Sequence, residues 1–157
     1  MRKFEVEFYL MSKSLFFLLC LALPFCSFGQ EKVDWVVSYD SEESVVTFTA
    51  TLEDGWHVYS QHINEGIGPV ATSFSFEPNA CYKLIGKTSE PTPITKYDPN
   101  FEGELSFFEH SVEFSQRLKV KSTGEVRGKI TYMVCNDSKC LPPTDVDFNL
   151  MINKNEK

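Results

Sequence analysis

Apolar and polar positions alternate with period two along most of this chain. In "SVVTFTATL", Val46, Phe48, Ala50 and Leu52 fall on one face and Val45, Thr47, Thr49 and Thr51 on the other, which predicts a half-buried strand. "EDGW" follows, and its Asp54-Gly55 pair is a tight-turn signal into a further strand, "WHVYS". "VATSFSFEP" sets Val70, Thr72, Phe74 and Phe76 against Ala71, Ser73 and Ser75, and "SVEFSQRLKV" carries Val112, Phe114, Gln116, Leu118 and Val120 on one side. "EVRGKITYMV" alternates through Val126, Gly128, Ile130, Tyr132 and Val134, and "DVDFNLMI" through Val146, Phe148 and Leu150. No window carries the i, i+3, i+4, i+7 apolar stripe of a surface helix.

About seven to nine short strands divided by turn signals predict an all-β fold, two antiparallel sheets packed as a sandwich, with an immunoglobulin-like topology expected. Two stretches break the rhythm and are read as long loops. One is residues 60–69, "SQHINEGIGP"; the other is residues 89–104, "SEPTPITKYDPNFEGE", rich in Pro, Asp and Gly but carrying Tyr97 and Phe101. Long loops on a rigid sandwich are where function tends to sit.

The N-terminal residues 1–29 do not fit this pattern. "MSKSLFFLLCLALPFCSFGQ" has a basic residue at Lys13, an apolar run over 15–23, a breaker at Pro24 and small residues at Ser27 and Gly29. That is the layout of a secretory signal peptide, cleaved between Gly29 and Gln30, with translation beginning at Met11 because "MRKFEVEFYL" has no place in such a leader. A lipoprotein signal acylated at Cys26 is the less favoured reading, since "LPF" before it lacks the small residues that processing wants. The apolar run is well short of the ~20 residues that span a bilayer.

Of 157 residues, 42% are hydrophobic and 14% aromatic, enough for one core and one domain, residues 30–157. From Gln30 onward 12 Lys and Arg face 20 Asp and Glu, leaving a charge of −8 with no basic cluster. Nucleic acid and anionic membrane surfaces are thereby disfavoured as partners. Loss of the leader removes Cys20 and Cys26 and leaves Cys81, Cys135 and Cys140. An exported protein meets oxidising conditions, in which a close cysteine pair is expected to be a disulfide for at least part of its life.

Cys135 and Cys140 close "CNDSKC" between two alternating runs, and three readings compete. If the runs form a hairpin, cross-strand α-carbons lie about 4.5–5.5 Å apart, within reach of a disulfide. As a staple such a bridge is inefficient: a closed loop of about six residues contributes roughly 2 kcal/mol, and a bridge between distant strands about twice that. A metal site lacks ligands, because His57, His62 and His110 are scattered; copper would be the metal of choice on softness. A redox pair fits the local chemistry, with Lys139 favouring a Cys140 thiolate and Asp137 opposing it. On these grounds staple and redox readings stand level. Cys81, in "NACYKLIG", is expected to point into the core.

Three segments resemble a known family. "YMVCNDSKCLPP" is similar to the Tyr, two residues, Cys, short acidic loop, Cys, residue, Pro-Pro block of the N-terminal periplasmic domain of the thiol:disulfide interchange protein DsbD. "LEDGWHVYSQHI" resembles that domain's "DG, aromatic, x, x, Tyr" strand, and "NFEGELSFFEHSVEF" its cap-loop region. The resemblance implies an immunoglobulin-like sandwich whose cysteine pair takes electrons from a thioredoxin-like domain and hands them to periplasmic oxidoreductases, with no cofactor. It implies that Cys140 forms mixed disulfides, that Cys135 resolves them, and that Phe101 caps a Cys135-Cys140 disulfide lined by Tyr59 and His57. The loop between the cysteines is one residue shorter than in the best-known member. His57 stands where that member has a tyrosine, and "DPNF" replaces its acidic run. The family's membrane-spanning and thioredoxin-like parts lie outside the matched segments, so a separate membrane electron carrier is the expected donor. The competing expectation is a non-catalytic sandwich that binds a protein or glycan and carries a local staple.

Overall fold

The computed structural model describes residues 32–63 and 68–154 and resolves the alternation into twelve strands among them. The expected leader, residues 1–29 with Cys20 and Cys26, lies outside the described residues. In chain order the first six strands are β1 (Val33–Asp40), β2 (Val45–Leu52), β3 (His57–Tyr59), β4 (Ser73–Phe76), β5 (Tyr82–Ser89) and β6 (Ile94–Asp98). The rest are β7 (Gly103–Glu109), β8 (Ser111–Val120), β9 (Gly124–Tyr132), β10 (Val134–Asn136), β11 (Lys139–Cys140) and β12 (Thr144–Ile152).

Among the described residues all pairings are antiparallel, in three hydrogen-bonded sheets of order β1-β2-β8-β5, β11-β10-β3-β7-β6 and β12-β9-β4. The period-two faces point where their apolar residues direct them: Val46, Phe48, Ala50 and Leu52 of β2 are buried, as are Val112, Phe114 and Leu118 of β8. The four-stranded sheet packs on the other two. Trp35 meets Tyr132 with ring centroids 5.6 Å apart, Phe48 meets Phe148 at 5.0 Å and Phe114 meets Phe108 at 5.6 Å. The result is the expected all-β, immunoglobulin-like sandwich. Cys81 is buried in this main core, its Sγ 3.5 Å from the Glu125 carbonyl.

Two local features differ from expectation. The second layer is divided between two sheets, because the β9–β12 ladder ends at Tyr132 and Thr144 and resumes only as the β10–β11 tip, which joins β3 instead. Pro142 and Pro143 fall at this break, and proline has no N–H to continue a ladder. The Asp54-Gly55 turn leads into a strand as expected, with Gly55 at φ 80°, and β3 joins the five-stranded sheet. Residues 89–104 are not one loop: they contain β6, which pairs with β7. Ile94, Thr95, Lys96 and Tyr97 of this edge strand are all exposed, so no buried face marks it in the sequence.

Candidate functional site

Register decides which side chains meet. Cys140 stands opposite Cys135, Cys135 opposite His57 and His57 opposite Glu109; two residues along, Tyr59 stands opposite Phe107. Directly opposed residues of an antiparallel pair share a face, and so do residues i and i+2. Cys140, Cys135, His57, Tyr59 and Phe107 therefore crowd one face of the five-stranded sheet. Val58, Val134 and Phe108 occupy the opposite face and enter the main core. The cysteine face points away from that core and builds a cluster of its own from Tyr59, Leu105, Phe107 and Cys135, against which Phe101 and Cys140 pack.

At the tip, Asn136 pairs with Lys139, and the Asn136 side-chain oxygen accepts the Ser138 and Lys139 N–H groups, each at 2.9 Å. This turn brings the cysteines into a disulfide with α-carbons 4.1 Å apart. The two cysteines are not equivalent: Cys135 is fully buried, whereas Cys140 is partly exposed. Lys139, expected from its position to favour a Cys140 thiolate, turns to the opposite face, and its Nζ lies 5.8 Å from the Trp56 ring centre. Strand alternation overrides adjacency in sequence here.

Beneath the pair lies a buried polar network. Tyr59 donates its hydroxyl proton to Asp98 Oδ2 at 2.6 Å, and His57 Nε2 lies 3.2 Å from that hydroxyl and 3.6 Å from the same carboxylate oxygen. Because Tyr59 already donates to Asp98, the arrangement calls for the His57 tautomer that carries its proton on Nε2. Burial pulls the His57 imidazole below its ordinary value, against the opposing charges of Asp98, Asp137 and Glu109. Burial also pushes the Tyr59 hydroxyl far up, helped by the bond to Asp98 and its charge.

Asp98 was not legible as a site residue. It is 2% exposed, ends β6, and its Oδ1 accepts the Asn100 N–H at 2.8 Å, starting the loop that carries Phe101. The Asp-Pro-Asn order is a turn signal that could have flagged this anchoring role. From the loop, Asn100 Nδ2 reaches across to the Asn136 carbonyl at 2.9 Å. The Phe101 ring stands edge-on to Tyr59, centroids 5.9 Å apart, and a Cβ on Gly68 would fall 2.7 Å from its Cδ1. All five residues singled out in the sequence, Cys135, Cys140, Phe101, Tyr59 and His57, thus gather around one cluster, joined by Asp98, Asn100 and Gly68.

The family model for the thiol:disulfide interchange protein DsbD, N-terminal, matches residues 27–152. The chain belongs to the DsbD N-terminal family. Its structure is similar to the reduced form of the Neisseria meningitidis DsbD N-terminal domain, at 20% identity and a TM-score of 0.55, over 76% of this chain and 86% of that one. It is also similar to the complex between the DsbD N-terminal and PilB N-terminal domains from Neisseria meningitidis, at 16% identity and a TM-score of 0.59, over 80% of this chain and 87% of that one. No curated protein sequence matches the chain.

Within this DsbD N-terminal-type domain, a groove of about 450 Å³ lies beside His57, lined by Trp56, Tyr97, Phe107, Lys96, Glu109 and Asp137 among others. Lys96 lies across it, 3.4 Å from Glu109 and 5.8 Å from the Phe107 ring centre. Among the described residues, no three His, Cys, Asp or Glu side chains are grouped to hold a metal ion.

Proposed function

We propose that the domain is a periplasmic thiol–disulfide exchange module that relays electrons between thioredoxin-fold proteins through Cys135 and Cys140. One observation carries this reading: the disulfide lies outside the main core and joins a buried cysteine, Cys135, to a partly exposed one, Cys140. A partner thiolate attacks Cys140 Sγ and forms a mixed disulfide, while Cys135 leaves as a thiolate and takes up a proton. The partner's second thiolate then attacks its own sulfur in that bond, releasing Cys140 and closing the partner's disulfide. Two electrons and two protons have moved to this pair. In the second half-reaction the Cys140 thiolate attacks an acceptor's disulfide, and Cys135 resolves the product.

Phe101 is the cap that shields the pair between encounters, and Tyr59 and His57 line the site beneath it. Residues 1–29 act as the cleaved leader that exports a domain spanning 30–157, and a membrane electron carrier acts as upstream donor. The short loop supports exchange over stapling, since it contributes only about 2 kcal/mol to the fold.

Equilibration against a thioredoxin-like dithiol should give a reduction potential above about −300 mV, where labile disulfides lie. A Cys135→Ser variant should accumulate a stable mixed disulfide between Cys140 and thioredoxin-fold proteins. A lower potential together with no trapped species would leave the pair as a staple.

A further inference from the structure

We propose that Gly68 and Asn100 are positioning residues that hold Phe101 closed over the disulfide, and so make the pair discriminate between docking proteins and small thiols. The proposal rests on the exchange reading of the Cys135–Cys140 pair. Gly68 does not have a left-handed φ, so its backbone conformation does not call for glycine. What excludes a side chain is the Phe101 ring, whose Cδ1 and Cε1 stand 2.7 and 2.8 Å from where a Cβ would be. The ring thus meets both the bare Gly68 backbone and, edge-on, the Tyr59 ring.

Asn100 fixes the residue next to the ring twice. Its N–H is bound by Asp98 Oδ1, and its side-chain amide is bound by the carbonyl of Asn136, the residue directly after Cys135. Glu102, the residue directly after Phe101, is held at φ 52°, a left-handed conformation that disfavours non-glycine residues. The closed loop therefore contains a conformation that its contacts must offset. Contacts from three separate segments, through Tyr59, Gly68 and Asn136, supply that hold.

If exchange proceeds from an open minor state, weakening either contact raises the population of that state and the rate in proportion. A small dithiol gains the most, because it contributes no docking contacts that open the loop. The step itself is balanced: dithiothreitol attacks Cys140, Cys135 leaves as a thiolate and takes up a proton, and closure of the dithiothreitol ring releases Cys140.

Oxidised protein is mixed with dithiothreitol, or with reduced thioredoxin, and free thiols are counted by acid quench and alkylation. Asn100→Asp replaces the amide donor with a carboxylate facing the Asn136 carbonyl and should speed dithiothreitol reduction about fivefold, the loss of one ordinary hydrogen bond. Gly68→Ala should speed it roughly tenfold through displacement of the ring, and the ratio of thioredoxin rate to dithiothreitol rate should fall in both variants. In a Phe101→Ala background, Gly68→Ala should add nothing, because the ring it displaces is gone. Unchanged dithiothreitol rates in both variants, or an equal acceleration by Gly68→Ala with and without Phe101, would overturn the proposal. If Gly68→Ala lowers the urea midpoint, Asn100→Asp, on an exposed side chain, decides alone. Wild-type protein that neither reagent reduces overturns the exchange reading itself, an outcome separate from a failure of the two variants.

Discussion

Asp98 offers two carboxylate oxygens to three neighbours: Tyr59 and His57 converge on Oδ2, and the Asn100 N–H takes Oδ1. Two of these neighbours give the fold a pH window. Burial holds the His57 imidazole below the 6.5 of a free histidine, so the folded state takes up this proton less readily than the unfolded chain. The contribution of His57 to stability is therefore whole above pH 6.5 and drains away as the pH falls below it. Tyr59 acts in the opposite direction: its hydroxyl is pushed up, the unfolded chain ionises first, and stability is lost as the pH rises beyond 10.0. Urea midpoints followed between about pH 4 and pH 11 should form a plateau with two falling limbs, and His57→Gln should flatten the acid one. An acid limb unchanged in His57→Gln would assign it to carboxylates elsewhere. Residue-level chemistry was legible where it sits in a motif, as with Cys135, Cys140 and Tyr59. Asp98, Asn100 and Gly68 were not, because each looks like an ordinary turn residue until chain folding supplies a partner; Tyr59 is 39 positions from Asp98.

Among the strands, β9 is the most constrained. Gly128 pairs with Phe76 of β4 on one side and Phe148 of β12 on the other, and a Cβ there would run into the Ser75 carbonyl and come within 2.5 Å of Phe148 Cζ. The obstacle includes backbone, which cannot swing aside. Gly128→Ala should therefore lower stability by about 1–3 kcal/mol in urea titrations, whereas a loss near zero would mean that β4 is loosely held. In the alternating run "EVRGKITYMV" the pattern makes Gly128 one more inward position; the fold uses it to let three strands close. The same reasoning separates the strands that sequence revealed from those it concealed. β2 and β8 have one buried face and declare themselves by period two, whereas β6 exposes four of its five side chains and resembles a loop.

Among the described residues the molecule keeps two apolar clusters, one joining all three sheets and a smaller one around Cys135 on the outer face. The bridge ties residues five positions apart, so its loss should remove about 2 kcal/mol and leave the main core intact. Protein reduced with excess dithiothreitol, or a double Cys135→Ala, Cys140→Ala variant, should keep its near-ultraviolet aromatic signal and unfold cooperatively at a modestly lower urea midpoint. Collapse of that signal on reduction would make the disulfide a structural requirement and count against a relay. The sandwich was legible from alternation alone because its faces differ so sharply in polarity. The division of the second layer was not, because period two reports which way a side chain points but not which sheet a strand joins. That division has a consequence for how such a domain can change. Inside the β9–β12 stem, one inserted residue would turn every later core side chain outward, but beyond Pro142 and Pro143 the ladder has already been interrupted. The segment between the cysteines can lengthen or shorten there without disturbing the stem, which makes the electrochemistry of the pair an adjustable setting on a fixed chassis.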